Sequence, residues 1–79
     1  GMVLEYDKET GIAKVEQRNR MIVGDEIEVV IPGKDYFIQT IEEMRNEEGE
    51  SIRTAPHPQM IVYMPMKQEV VPYTILRRK

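Results

Sequence analysis

The chain has no cysteine and no tryptophan, and only one histidine, one phenylalanine and four tyrosines in 79 residues. Each shortage excludes something. Without Cys there is no disulfide framework, no thiolate nucleophile and no sulfur ligand for a metal. Small secreted domains generally depend on disulfides, so a cytoplasmic origin is expected. A single His without Cys leaves a zinc site short of its usual donors. Aromatics, at 6%, are too sparse for the stacking platform of a single-strand nucleic-acid binder. No apolar run approaches the roughly 18–20 residues that cross a bilayer as a helix, so no membrane partner is expected. Gly24-Asp25 and Gly33-Lys34 stand alone, with no glycine-rich loop opening into a helix to cradle a phosphate.

What is present is the composition of a folded domain: 41% hydrophobic beside 32% charged residues. A chain of this length accommodates one domain, residues 1–79, and buries roughly 60–65% of its unfolded surface. Gly1 precedes Met2 although translation starts at Met. Gly1, and with it Met2, therefore reads as a junction left by recombinant expression, and the chain as a domain cut from a longer protein. Charge is unevenly placed. Residues 1–50 carry thirteen acids against six bases, and residues 51–79 one acid against five bases. Such asymmetry marks an interaction surface unless strands from the two halves interleave and neutralise it. The overall balance of −3 argues against strong non-specific binding of nucleic acid, which relies on Lys and Arg at phosphates.

Along the chain, short alternating segments are separated by turn residues, the pattern of a small β-barrel. Val3 to Tyr6 reads as a strand. Asp7 to Gly11 reads as a bulged hairpin turn in which Gly takes the positive φ. Ile12 to Gln17 returns, with Ala13 and Val15 on one face and Lys14 and Glu16 on the other. Ile27, Val29 and Ile31 against Glu26 and Glu28 give the clearest half-buried strand. Pro32 to Asp35 ends it. Tyr36 to Glu43 is rich in aromatic and β-branched residues and is expected to be a strand. Asn46 to Gly49 follows as a hairpin turn and Ser51 to Arg53 as its return. The prolines keep Ala55 to Pro58 out of any interior strand. Gln59 to Met64 is a further strand, interrupted at Pro65. Gln68 to Pro72 is an extended piece and a turn, and Tyr73 to Leu76 a last strand before the basic end Arg77-Arg78-Lys79. Six to seven antiparallel strands in so short a chain close most economically as an all-β barrel.

Few residues carry chemistry. His57 lacks a local partner to orient it as a catalytic base, so it reads as a loop residue or a ligand contact. Glu42-Glu43 and Glu47-Glu48 are sequential, so on a strand they point to opposite faces and do not converge. Asn46 to Glu50 lacks the alternating ligands of a calcium loop. The loop Gln17-Arg18-Asn19-Arg20 offers two guanidiniums and two amides, groups suited to phosphate, carboxylate or base-edge contacts. Met60, Met64 and Met66 suit core or edge packing. No catalytic residue, metal ligand or cofactor site is implied, and the domain alone is not expected to be an enzyme.

Several segments taken in order resemble one module. They are Val3-Leu4-Glu5-Tyr6-Asp7, Glu9-Thr10-Gly11-Ile12-Ala13, Val15-Glu16-Gln17-Arg18-Asn19, Val23-Gly24-Asp25-Glu26-Ile27-Glu28-Val29, Gln39-Thr40-Ile41-Glu42, Asn46-Glu47-Glu48-Gly49 and Ala55-Pro56-His57-Pro58-Gln59. The module is the C-terminal domain of peptidase family U-32, the collagenase-like proteases, and the resemblance runs from Val3 to Arg78. It implies a β-barrel similar to the second domain of elongation factor Tu, with catalysis in a larger preceding domain. Relatives carry a protease label or a link to hydroxylation of RNA bases. The resemblance thus implies an accessory domain that positions a protein or RNA substrate or docks on its own catalytic domain. Gln17, Arg18, Asn19, Arg20 and His57 are its candidate contacts.

Overall fold

A computed structural model describes residues 1–55 and 57–79. Pro56, within the proline-flanked His57 segment, lies outside the described residues. Eight strands form one antiparallel sheet: β1 (Met2–Asp7), β2 (Ile12–Glu16), β3 (Glu26–Val30), β4 (Phe37–Thr40), β5 (Met44–Arg45), β6 (Ser51–Ile52), β7 (Ile61–Pro65) and β8 (Ile75–Arg78). Their spatial order is β4-β3-β8-β1-β2-β7-β5-β6. The sheet curls into a half-barrel around its own apolar face. No helix occurs among the described residues, and none is therefore long and apolar enough to cross a membrane.

Alternation decides which face is inside. Val3, Ala13, Val15, Ile27, Val29, Val62, Met64 and Leu76 are buried, one from every second strand position, while Lys14, Glu26 and Glu28 face outward. Ile41 and Val70, outside the strands, and Met44 of β5 complete the core, and Met60 and Met66 pack against it. A bulge at Leu4 lies between the pairs Val3–Val15 and Glu5–Lys14. The extra residue lets β1 bend with the curl. The turn after β1 is the expected one: Gly11 sits at φ 74°, its N–H donates to the Asp7 carbonyl, and the Asp7 carboxylate accepts from Glu9 N–H.

Three segments depart from the sequence reading. Tyr36 to Glu43 is a strand only over Phe37–Thr40. Ile41 leaves the ladder because its N–H donates to the Asp25 carbonyl and its own carbonyl accepts from Gly24 N–H. A second short strand, β5, then restarts at Met44, which raises the strand count to eight. Pro65 does not interrupt its strand; it ends β7, where the missing N–H costs no ladder bond. The last strand begins at Ile75 rather than Tyr73, because Tyr73 adopts φ 74° in a turn. It also runs through Arg77 and Arg78, which pair with β3 rather than fraying.

That pairing answers the charge asymmetry. Arg77 approaches Glu28 at 2.9 Å, Lys79 approaches Glu26 at 3.4 Å and Arg78 approaches Asp25 at 3.5 Å. The basic end lies against an acidic strand, so the halves neutralise each other there. Such half-exposed pairs add little stability individually. The Asp25 contact is ionic only: its shielded Oδ2 has no hydrogen-bond partner.

Two devices tie the edges of the curled sheet. The segment Ile22 to Asp25 bonds to both ends at once. Val23 N–H donates to Arg53 O and Ile22 bridges Thr54 beyond β6, while Gly24 and Asp25 hold Ile41 beyond β4. On the other side, the side-chain amide of Gln39 acts as a strand residue would. Its Nε2 donates to Pro65 O at 3.1 Å and its Oε1 accepts from Lys67 N–H at 2.8 Å.

Candidate functional site

The sequence places Gln17–Arg20 and His57 forty residues apart in separate loops; the fold brings them together. Both loops cap the same barrel end, because β2 and β7 are antiparallel and Glu16 pairs with Ile61. Gln17, Arg18, Asn19, Arg20, Ala55, His57 and Pro58 line one shallow cavity of about 170 Å³.

Gln17 builds this site. It is 3% exposed, and every polar group of its side chain is engaged. Nε2 donates to His57 O at 2.8 Å and to Ala55 O at 3.3 Å, and Oε1 accepts from Met21 N–H at 3.0 Å. Its backbone joins the same loop, donating to Met60 O and accepting from Gln59 N–H. Gln17, one of the candidate contacts, is thus buried beneath the others, and its side chain joins the two loops that carry them. Gln59 beside it sits at φ 61°, a left-handed backbone uncommon for a residue other than Gly, Asn or Asp.

Arg18, Asn19 and Arg20 are exposed, as is His57. Arg18 donates from Nε to Glu16 at 2.8 Å, and its other end reaches Met2 Sδ at 4.0 Å. Among the described residues, Arg20 and Asn19 have no side-chain partner and the His57 ring has none; it is the His57 backbone carbonyl that is held. The rim therefore presents one tethered and one unpaired guanidinium, an amide and an imidazole to solvent. A larger groove of about 470 Å³ runs past Glu26, Gln39, Glu42, Pro65 and Lys67. It is a poorer recognition site, because the Gln39 amide is consumed and two carboxylates face one ammonium. No group of three or more metal-ligating side chains exists among the described residues.

Arg18 also acts on the start of the chain. The Gly1 amine is largely enclosed, donating to Leu76 O at 2.8 Å. Burial, and secondarily the Arg18 guanidinium, hold its pKa below the ordinary 8.0. A cation whose folded pKa is depressed binds fewer protons folded than unfolded, so stability rises with pH between the folded pKa and 8.0. The expected result is a urea midpoint that climbs up to that pH and then levels off. An acetylated N-terminus should abolish the climb, and a midpoint that falls over the same interval would contradict it.

Residues 1–77 match the family described as the peptidase family U32 C-terminal domain. The chain is 35% identical over 78 residues to tRNA hydroxylation protein P1 of Bacillus subtilis (strain 168), covering 99% of this chain and 18% of that protein. Among solved structures it is similar to the C-terminal domain of a Geobacillus thermoleovorans protein classed as a U32 peptidase. Identity there is 43% and the TM-score 0.95, over 100% of this chain and 89% of the other. The selenomethionine variant of that domain gives 44% and 0.93, over 99% and 95%.

Proposed function

The chain belongs to the peptidase family U32 C-terminal domains, and from that premise we propose that it is a non-catalytic accessory module of a longer cytoplasmic enzyme, contacting structured RNA through the Arg18–Arg20 loop and His57. The observation that supports this reading most is the Gln17 clasp. It spends a buried side chain on holding two loops together, and the groups it presents outward are those that contact phosphates and base edges. The similarity to a protein named for tRNA hydroxylation points to tRNA as the RNA. The protease label points to protein substrates, but among the described residues the rim is a shallow polar cavity with no carboxylate and little apolar depth to grip a peptide side chain.

A chain of net charge −3 with two guanidiniums at its rim binds weakly by itself. The module would bias the orientation of an RNA held mainly by the rest of the enzyme. Titrating the 79-residue chain with tRNA at low salt tests this. Weak, salt-sensitive binding is expected, and Arg18→Ala with Arg20→Ala should reduce the salt slope by about 1–2. No binding at low salt, or binding indifferent to both substitutions, would refute the proposal.

A further inference from the structure

The turn leading into β8 carries an aromatic residue where the backbone favours glycine. Thr74 N–H donates to Val71 O at 3.2 Å, Pro72 occupies the second position, and Tyr73, in the third, has φ 74°. Turns with Pro second and a positive φ third ordinarily place Gly there. Thr74, fully buried, locks the turn: its Oγ1 donates to Val71 O at 2.7 Å and accepts from Val71 N–H at 3.3 Å. The result is a Tyr held out from the surface, 71% exposed, flanked by Val71 at 42% and Ile75 at 40%. Strain of this kind persists where the surroundings enforce it and is commonest at functional positions.

The patch lies beside the point at which the chain starts. Tyr73 N–H donates to Val3 O at 2.8 Å, and Ile75 pairs with Met2. We propose that Val71, Tyr73 and Ile75 form the surface on which the preceding domain of a U32 protein docks. The match covers only 18% of the length of the Bacillus subtilis relative, and the family's description makes the module C-terminal, so in such proteins a preceding region enters at the position of Gly1. A separate partner needs roughly 1,000 Å² of interface, more than these few side chains supply. A domain tethered two residues away acts at an effective concentration of about millimolar, and a small apolar patch then suffices. This inference rests on the accessory-module reading and is independent of RNA contact at the Arg18–Arg20 rim.

Tyrosine nitration of the isolated chain and of the full-length protein tests it, with Tyr36, 55% exposed, as the internal reference. In the isolated chain both tyrosines should react. In the full-length protein Tyr73 labelling relative to Tyr36 should fall about tenfold, as a docking constant of about ten requires. Tyr73→Asp in the full-length protein should release the module to limited proteolysis. Tyr73→Gly in the isolated chain should leave Tm unchanged or raise it by roughly 2–6 °C, since Gly relieves the strained φ. Equal labelling of Tyr73 in both proteins overturns the proposal. So does protection that appears in the isolated chain on raising its concentration, which assigns the patch to a second copy. Protection that appears only on adding tRNA overturns it as well.

Discussion

Replacing Gln17 by Leu lowers the stability of the chain by about 2–4 kcal/mol, because a side chain of similar size fills the space and serves none of the three backbone groups that Gln17 holds. Met21 N–H is the costliest orphan. It lies in a buried segment, and the Leu leaves it without the Gln17 Oε1 acceptor. Ala55 O is buried too, though its bond is the longer at 3.3 Å. His57 O, part-buried, regains water more easily. The loss corresponds to a fall in Tm of roughly 8–32 °C for a domain of this size. Gln17→Glu distinguishes hydrogen bonding from packing. It keeps an acceptor for Met21 N–H but aims a carboxylate at two carbonyls, so its penalty should shrink as the pH drops and the carboxyl protonates. Urea denaturation of the three proteins measures this. If Gln17→Leu were as stable as the parent chain, the clasp would be incidental.

Ile27→Ala should cost about 3–4 kcal/mol, within the range for truncating a buried Ile. Ile27 is 2% exposed, at the second position of β3. Its backbone neighbours are Gln39 on β4 and Arg78 on β8, so the cavity opens where the sheet's acidic and basic strands meet. A domain of 79 residues has a total stability of only about 4–12 kcal/mol. About 0–9 kcal/mol then remains, so the urea midpoint should fall by a quarter or more, with an unchanged m-value. Ile75→Ala is the natural contrast. Ile75 is 40% exposed on the same sheet, and its truncation should change the isolated chain by less than about 0.5 kcal/mol.

How much of this was legible beforehand differs from element to element. β2 and β3 were readable because their inward and outward residues alternate without a break, and a one-residue slip would expose the core face. The hairpin turns were readable because Gly11 and Gly49 occupy the positions where only a positive φ closes the turn. The Arg18–Arg20 loop and His57 were both visible as polar loop residues. Their juxtaposition was not, since it depends on β2 pairing with β7 across some forty residues of intervening chain. The hydrogen-bonding roles of Gln17 and Gln39 were hidden for one reason. An amide that substitutes for a strand residue leaves no periodic trace. Tyr73 was read as the opening of a strand because aromatic residues favour strands. Only the torsion of its backbone distinguishes it as a projecting turn residue.

The position of β8 has a consequence for how the chain reaches this fold. The strand contributed by residues 75–78 is not at the margin of the sheet; it lies between β3 and β1. Until it arrives, the β3–β4 hairpin and the β1–β2–β7–β5–β6 group have no strand in common. Closing that gap depends on a segment distant in sequence from both its neighbours. Chains dominated by such non-local pairings fold slowly, in milliseconds to seconds. During synthesis every other strand emerges before this one, so the edges of β1 and β3 that it pairs with are the last to be completed. The charges on Glu26 and Glu28, and on Arg77 and Arg78, then gain a second use. Their opposite signs favour the pairing that completes the sheet.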